Sequence, residues 1–138
     1  MSTSHIPVAL QRRVRDRAKE RCEYCRLAQA GQEATFHVDH IQPRREGGAT
    51  LLENLALACV SCSLRKGGNS EAHDPDTGHC VRLFHPRNDV WNAHFEMDDE
   101  LRIIGISDIG RATVALLRMN RPLAVAIRKM TALLGLHP

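Results

Sequence analysis

The chain has 138 residues, 43% hydrophobic, 25% charged and 4% aromatic, which fits one compact domain or one small core with appended helices and excludes wholesale disorder. No apolar run approaches the roughly 20 residues a membrane helix needs, and residues 1–10 carry polar side chains and Pro7 where a secretory leader needs an apolar core, so a soluble, cytoplasmic protein is expected. The net charge of +3 is uneven: residues 1–70 hold 11 basic and 7 acidic groups and residues 71–138 hold 8 and 9, which makes the first half the better candidate for meeting phosphate.

In chain order, residues 7–21 read as an amphipathic helix, with Pro7 suited to its first turn and Leu10, Val14, Ala18 and Cys22 recurring every fourth residue. Its other face carries Arg12, Arg13, Arg15, Arg17, Lys19 and Arg21, either a solvated face or a ridge that tracks phosphates. Residues 34–41 are strand-like, and the loop 42–50 is basic and flexible, with Arg44, Arg45, Gly47 and Gly48. Leu55 to Ala58 reads as a short apolar strand, and Ser63 to Gly67 as the opening of a short helix. A polar stretch, 69–79, is followed by strand candidates at 80–84, 94–97 and 101–106. Two helices close the chain, one with a buried stripe of Ile109, Ala112, Thr113, Leu116 and Leu117, the other with Leu123, Ile127, Met130 and Leu134.

Four of the five cysteines form two Cys-x-x-Cys pairs, Cys22/Cys25 and Cys59/Cys62, 33 residues apart. In a cytoplasmic chain structural disulfides are unexpected, and two hooks of soft thiolates suit a tetrahedral zinc ion. The gap is long for a self-contained zinc ribbon, so further structure is expected between the hooks. Cys80 stands apart and is expected to be a buried or half-buried thiol.

Between the hooks lies Phe36-His37-Val38-Asp39-His40-Ile41. A carboxylate beside an imidazole at a strand end pairs a hard oxygen ligand for Mg²⁺ with a base that works near neutral pH. Neighbouring strand side chains face opposite ways, so the strand must twist or end if Asp39 and His40 are to share a site. His37 shares a face with Asp39, either beside the metal site or packed as a strand histidine.

Taken together, Cys22-x-x-Cys25, His37-Val38-Asp39-His40-Ile41-x-Pro43, Gly47-Gly48, Asn54-Leu55 and Cys59-x-x-Cys62 with Lys66-Gly67 resemble the zinc-hook subgroup of the HNH endonuclease family over roughly residues 8–68. Leu83-Phe84-His85-Pro86-Arg87 and Gly110-Arg111-Ala112-Thr113 resemble the extension of many small bacterial HNH proteins. The resemblance implies an α+β fold: a ββα-metal core stapled by a four-cysteine structural Zn²⁺ site, with an N-terminal basic helix (together residues 1–70), and a strand and two-helix extension (71–138) packing on the same core. It further implies a metal-dependent endonuclease, with Asp39 a ligand to a catalytic Mg²⁺, Mn²⁺ or Ni²⁺, His40 the general base, and Asn54 the residue that fixes the loop and orients the base. Arg44, Arg45, Arg65 and Lys66 flank the site as candidate phosphate contacts. DNA is the expected partner, with RNA left open; one site per chain nicks a single strand unless two chains pair, so a dimer is also left open.

The third family position, usually His or Asn, is Ser63 here. Three arrangements follow: Ser63 acts as a weak ligand, His37 or His85 takes its place, or the site is attenuated and the protein is a zinc-stapled nucleic-acid-binding module. A zinc nucleobase deaminase, with His-x-Glu and Pro-Cys-x-x-Cys, is approached by His37-Val38-Asp39 and Ala58-Cys59. It lacks the Glu and the Pro and leaves Cys22 and Cys25 without a role.

Overall fold

The structure, a computed structural model, describes residues 5–137. Helix α1 (Val8–Arg17) follows Pro7 and buries Val14. It stops short of residue 21 because Lys19 and Glu20 take left-handed conformations, φ 55° and 56°, that reverse the chain into the first cysteine hook. Two arginines expected on a free ridge instead tie this helix to the core: Arg15 donates to the Phe36 carbonyl (2.8 Å), and Arg17 to those of Leu52 (3.0 Å) and Leu55 (2.7 Å).

Strand β1 (His37–His40) pairs antiparallel with β2 (Leu55–Ala58), in the register His37↔Ala58 to His40↔Leu55. All four residues of β2 are buried, which is why its sequence is uninterrupted Leu and Ala rather than alternating. Helix α2 (Val60–Lys66) begins three residues earlier than expected, because Cys59 caps it by accepting the Cys62 N–H on its sulfur. Two strands and this helix make the ββα unit.

Among the described residues, 71–137 add two further two-stranded antiparallel sheets, β3 (Glu71–His73) with β4 (Cys80–Arg82) and β5 (Phe95–Met97) with β6 (Ile103–Gly105), and three helices: α3 (Trp91–His94), α4 (Asp108–Leu117) and α5 (Pro122–Leu133). The polar stretch 69–79 thus conceals a strand. Its turn is built on the buried Asp74, which accepts from the Asp76 N–H and the Thr77 hydroxyl and pairs with Arg111 of α4 at 2.8 Å. Cys80, expected to be at least half-buried, is exposed on β4. The rings of Trp91 and Phe95 pack at a tilt of 38° with centroids 5.0 Å apart, and Phe84 meets Phe95 edge-on at 5.1 Å, forming an aromatic cluster. Gly110 is where α4 meets the end of α3 and β6: a Cβ there would lie 1.9 Å from the His94 carbonyl oxygen and 3.3 Å from Gly105 Cα.

Helix α5 corrects its expected stripe. Leu123, Met130 and Leu134 are exposed, and the buried face is Ala124, Arg128 and Thr131. Arg128 is wholly buried because its guanidinium donates to the carbonyls of Leu101 (2.9 Å), Cys25 (3.4 Å) and Met119. Five donors in a fixed fork satisfy backbone oxygens that an aliphatic side chain would leave unpaired. One buried cluster runs from Ile6 to Ala124 through both hooks, β2, Phe84, Phe95, Ile103 and Leu117. Among the described residues no helix is long and apolar enough to cross a membrane.

Candidate active site and zinc centre

The two hooks converge. The sulfurs of Cys22, Cys25, Cys59 and Cys62 all lie within 4.8 Å of one another, and all four residues are buried. Zn–S bonds of about 2.3 Å in a tetrahedron place sulfurs about 3.8 Å apart, and Cys25 Sγ lies 3.7 Å from Cys59 Sγ. Each hook also folds a backbone N–H onto its first sulfur, Cys25 onto Cys22 and Cys62 onto Cys59, both at 3.4 Å. Burial pushes the Cys22 thiol well above its ordinary range. A buried quartet of sulfurs fits a divalent cation that replaces their protons. The set draws on both hooks and does not include His37, so the deaminase arrangement of one hook with His37 is not formed.

Beside this centre, β1 carries the polar residues. His40 lies at the end of the strand, half-buried, with Nε2 2.8 Å from the Thr50 hydroxyl; Arg44 donates to the same hydroxyl at 3.0 Å. Burial, then Arg44, pushes the His40 imidazole below its ordinary value, and Asp39 partly opposes them. The ring is therefore neutral near pH 7. Asp39 is half-buried on the side of the pleat that His37 shares; β1 ends at His40, and Asp39 is near enough to act on the His40 ring. His37 Nδ1 lies 2.8 Å from the hydroxyl of Ser63 on α2.

Asn54 ties the loop shut. Its Oδ1 accepts the Gln42 N–H (2.9 Å), and its Nδ2 donates to the carbonyls of Gln42 (3.1 Å) and Ala49 (2.9 Å). Gly48 lies so close beneath this clamp that a Cβ would meet the Gln42 carbonyl oxygen at 1.9 Å and Asn54 Nδ2 at 2.9 Å. The Gly47-Gly48 pair is thus required by packing as well as by turning, with Gly47 at φ 90° ending a short 3₁₀ turn.

The basic residues divide. Arg44, Arg45 and Arg65 are exposed. Lys66, expected among the phosphate contacts, is buried, and its ammonium donates to the carbonyls of Ile41 (2.9 Å) and His40 (3.3 Å), so it braces the end of β1 instead. His85 is held in its own turn, where Nδ1 accepts the Arg87 and Asn88 N–H groups at 3.2 Å. Thr50, which touches both His40 and Arg44, was marked by nothing in the sequence, because a loop threonine acquires a partner only when the loop closes.

The extension grips the hooks directly: the Trp91 indole donates to the Tyr24 carbonyl (2.9 Å), Arg87 pairs with Glu23, and Arg121 reaches Cys59 Sγ at 3.9 Å. No curated protein and no solved structure matches the chain significantly. Residues 22–69, which run from the first hook through β1, the clamped loop, β2 and α2, match the HNH endonuclease family. The match spans 48 of the 138 residues, so the likeness to the HNH endonuclease family is that of this segment, and residues 70–138 lie outside it.

Proposed function

We propose that this protein is a metal-dependent endonuclease that hydrolyses phosphodiester bonds of DNA, with His40 as general base and Asp39 as ligand to the catalytic divalent ion. The observation that carries the reading is the placement of His40: a half-buried ring at the end of β1, next in sequence to Asp39, with Nε2 2.8 Å from a hydroxyl that Arg44 also holds. With Nε2–H donating to Thr50 Oγ1, the lone pair resides on Nδ1, the atom that takes the proton from the attacking water. The water oxygen bonds to phosphorus, the bond from phosphorus to the 3′ oxygen breaks, and His40 leaves the step protonated. Asn54 acts through the loop it clamps, and through it on Thr50, four residues before it. Arg44, Arg45 and Arg65, all exposed, are the side chains that would hold phosphates, contacts that fix register without reading bases.

Asp39 brings oxygen donors and His37 a nitrogen donor on one side of β1, the donor chemistry that a divalent ion takes. When bound, such an ion neutralises charge on the phosphate and on the departing oxygen. The test is relaxation or linearisation of supercoiled plasmid with Mg²⁺, Mn²⁺ or Ni²⁺. Product that disappears with EDTA and in His40→Ala is expected; equal cutting by His40→Ala overturns the assignment. Ser63 at the third family position favours a second reading, a zinc-stapled nucleic-acid-binding module. That reading requires protein holding one zinc that shifts DNA in a gel and yields no product with any metal.

A further inference from the structure

We infer that His37, oriented by Ser63, is the nitrogen ligand of the catalytic ion, and that the site therefore selects a transition-series divalent ion over Mg²⁺. This rests on the nuclease reading above.

His37 opens β1, paired with Ala58 immediately before the second hook, and its ring stands exposed at the mouth of the ββα unit. Its Nδ1 is 2.8 Å from Ser63 Oγ, and Asp39 projects from the same face two residues on. A serine hydroxyl is a poor metal donor, but it is a good acceptor for an imidazole N–H. With Nδ1–H donating to Ser63, the tautomer is fixed and the Nε2 lone pair is free. This is the relation between a ligating histidine and the group that orients it. The departure at position 63 then has a compensation: the nitrogen is supplied from the strand, and the helix residue holds it.

The alternatives are poorer. His85 has its Nδ1 committed to a turn. Among the described residues the four hook cysteines are the only group of three or more His, Cys, Asp or Glu side chains close enough to hold an ion. The second site thus offers one carboxylate and one imidazole. That mixed set suits Ni²⁺ better than Mg²⁺, which demands near-octahedral oxygen.

The experiment is calorimetric titration of zinc-loaded full-length protein with Ni²⁺ and, separately, Mg²⁺, with zinc content and melting temperature checked for each variant. Wild type is expected to take up one Ni²⁺ more tightly than Mg²⁺. His37→Ala should weaken Ni²⁺ at least tenfold, and Ser63→Ala should weaken it less. The double change His37→Ala with Ser63→His should recover affinity by moving the imidazole to the helix. Ni²⁺ binding by His37→Ala at the wild-type level, with binding lost in Asp39→Asn and cutting intact, overturns this inference and leaves the nuclease standing. A wild-type protein that binds no ion beyond zinc overturns both.

Discussion

At His40 the neighbours decide which protonation state the site holds. Burial and Arg44 lower its affinity for a proton, so the base form dominates on the alkaline side of a value below about 6.5. On the mechanism proposed above, cleavage should therefore rise with pH through that value and level off near neutrality. Arg44→Ala, which removes a lowering influence, should move the rising limb to higher pH in a pH–rate profile; an unmoved limb would separate Arg44 from the base. His40→Ala should cost about 10²–10⁴-fold in rate, the usual contribution of a general base, while zinc content and melting temperature stay near wild type. The loop clamp by Asn54 could be expected from sequence because a short-range motif carries it. Arg15, Arg17, Lys66 and Arg128 could not be sorted in the same way. Each is spent on backbone carbonyls from distant segments, and composition marks a cation without marking its acceptor.

Among the elements, the loop between β1 and β2 is where architecture and chemistry meet. Gly48→Ala would force a methyl group against a carbonyl and the Asn54 amide, neither free to retreat, with a cost in the range of about 1–3 kcal/mol seen for overpacking. Thermal melting should fall and cutting should fall with it, while the hooks keep their zinc. Asn54→Ala should give the same pattern by releasing the clamp from the other side. The β3–β4 hairpin makes a separate prediction. The Arg111 guanidinium beside the buried Asp74 holds its carboxyl well below the ordinary carboxylate range. A depressed acid stabilises the fold at pH values above about 4, its unfolded value, and that stabilisation disappears as pH falls further. Asp74→Asn should lower the melting temperature at neutral pH and flatten its decline in acid. The long apolar runs and spacings made α4, β2 and the hooks legible, whereas β3 and α3, of three and four residues, are too short for any period to register. Helix α5 misled because its stripe is apolar on one side while an arginine with waiting acceptors was buried on the other.

On the scale of the whole molecule, the four-cysteine centre is a junction. Both hooks lie in the single buried cluster that also takes in Phe84, Phe95 and Leu117, and the extension holds them through Trp91, Arg87, Arg121 and Arg128. Chelation, or Cys22→Ser, should therefore unfold both halves in one transition; circular dichroism showing residues 71–138 still folded would contradict that. The hydrogen bond from Trp91 to the hook has a practical consequence. Trp91 is the chain's only tryptophan, its indole is tied to the residue preceding Cys25, and the Arg26 guanidinium lies 4.2 Å above its ring. Its emission is accordingly an intrinsic optical gauge of the metal centre, and withdrawal of zinc should register as a red-shifted spectrum in unlabelled protein.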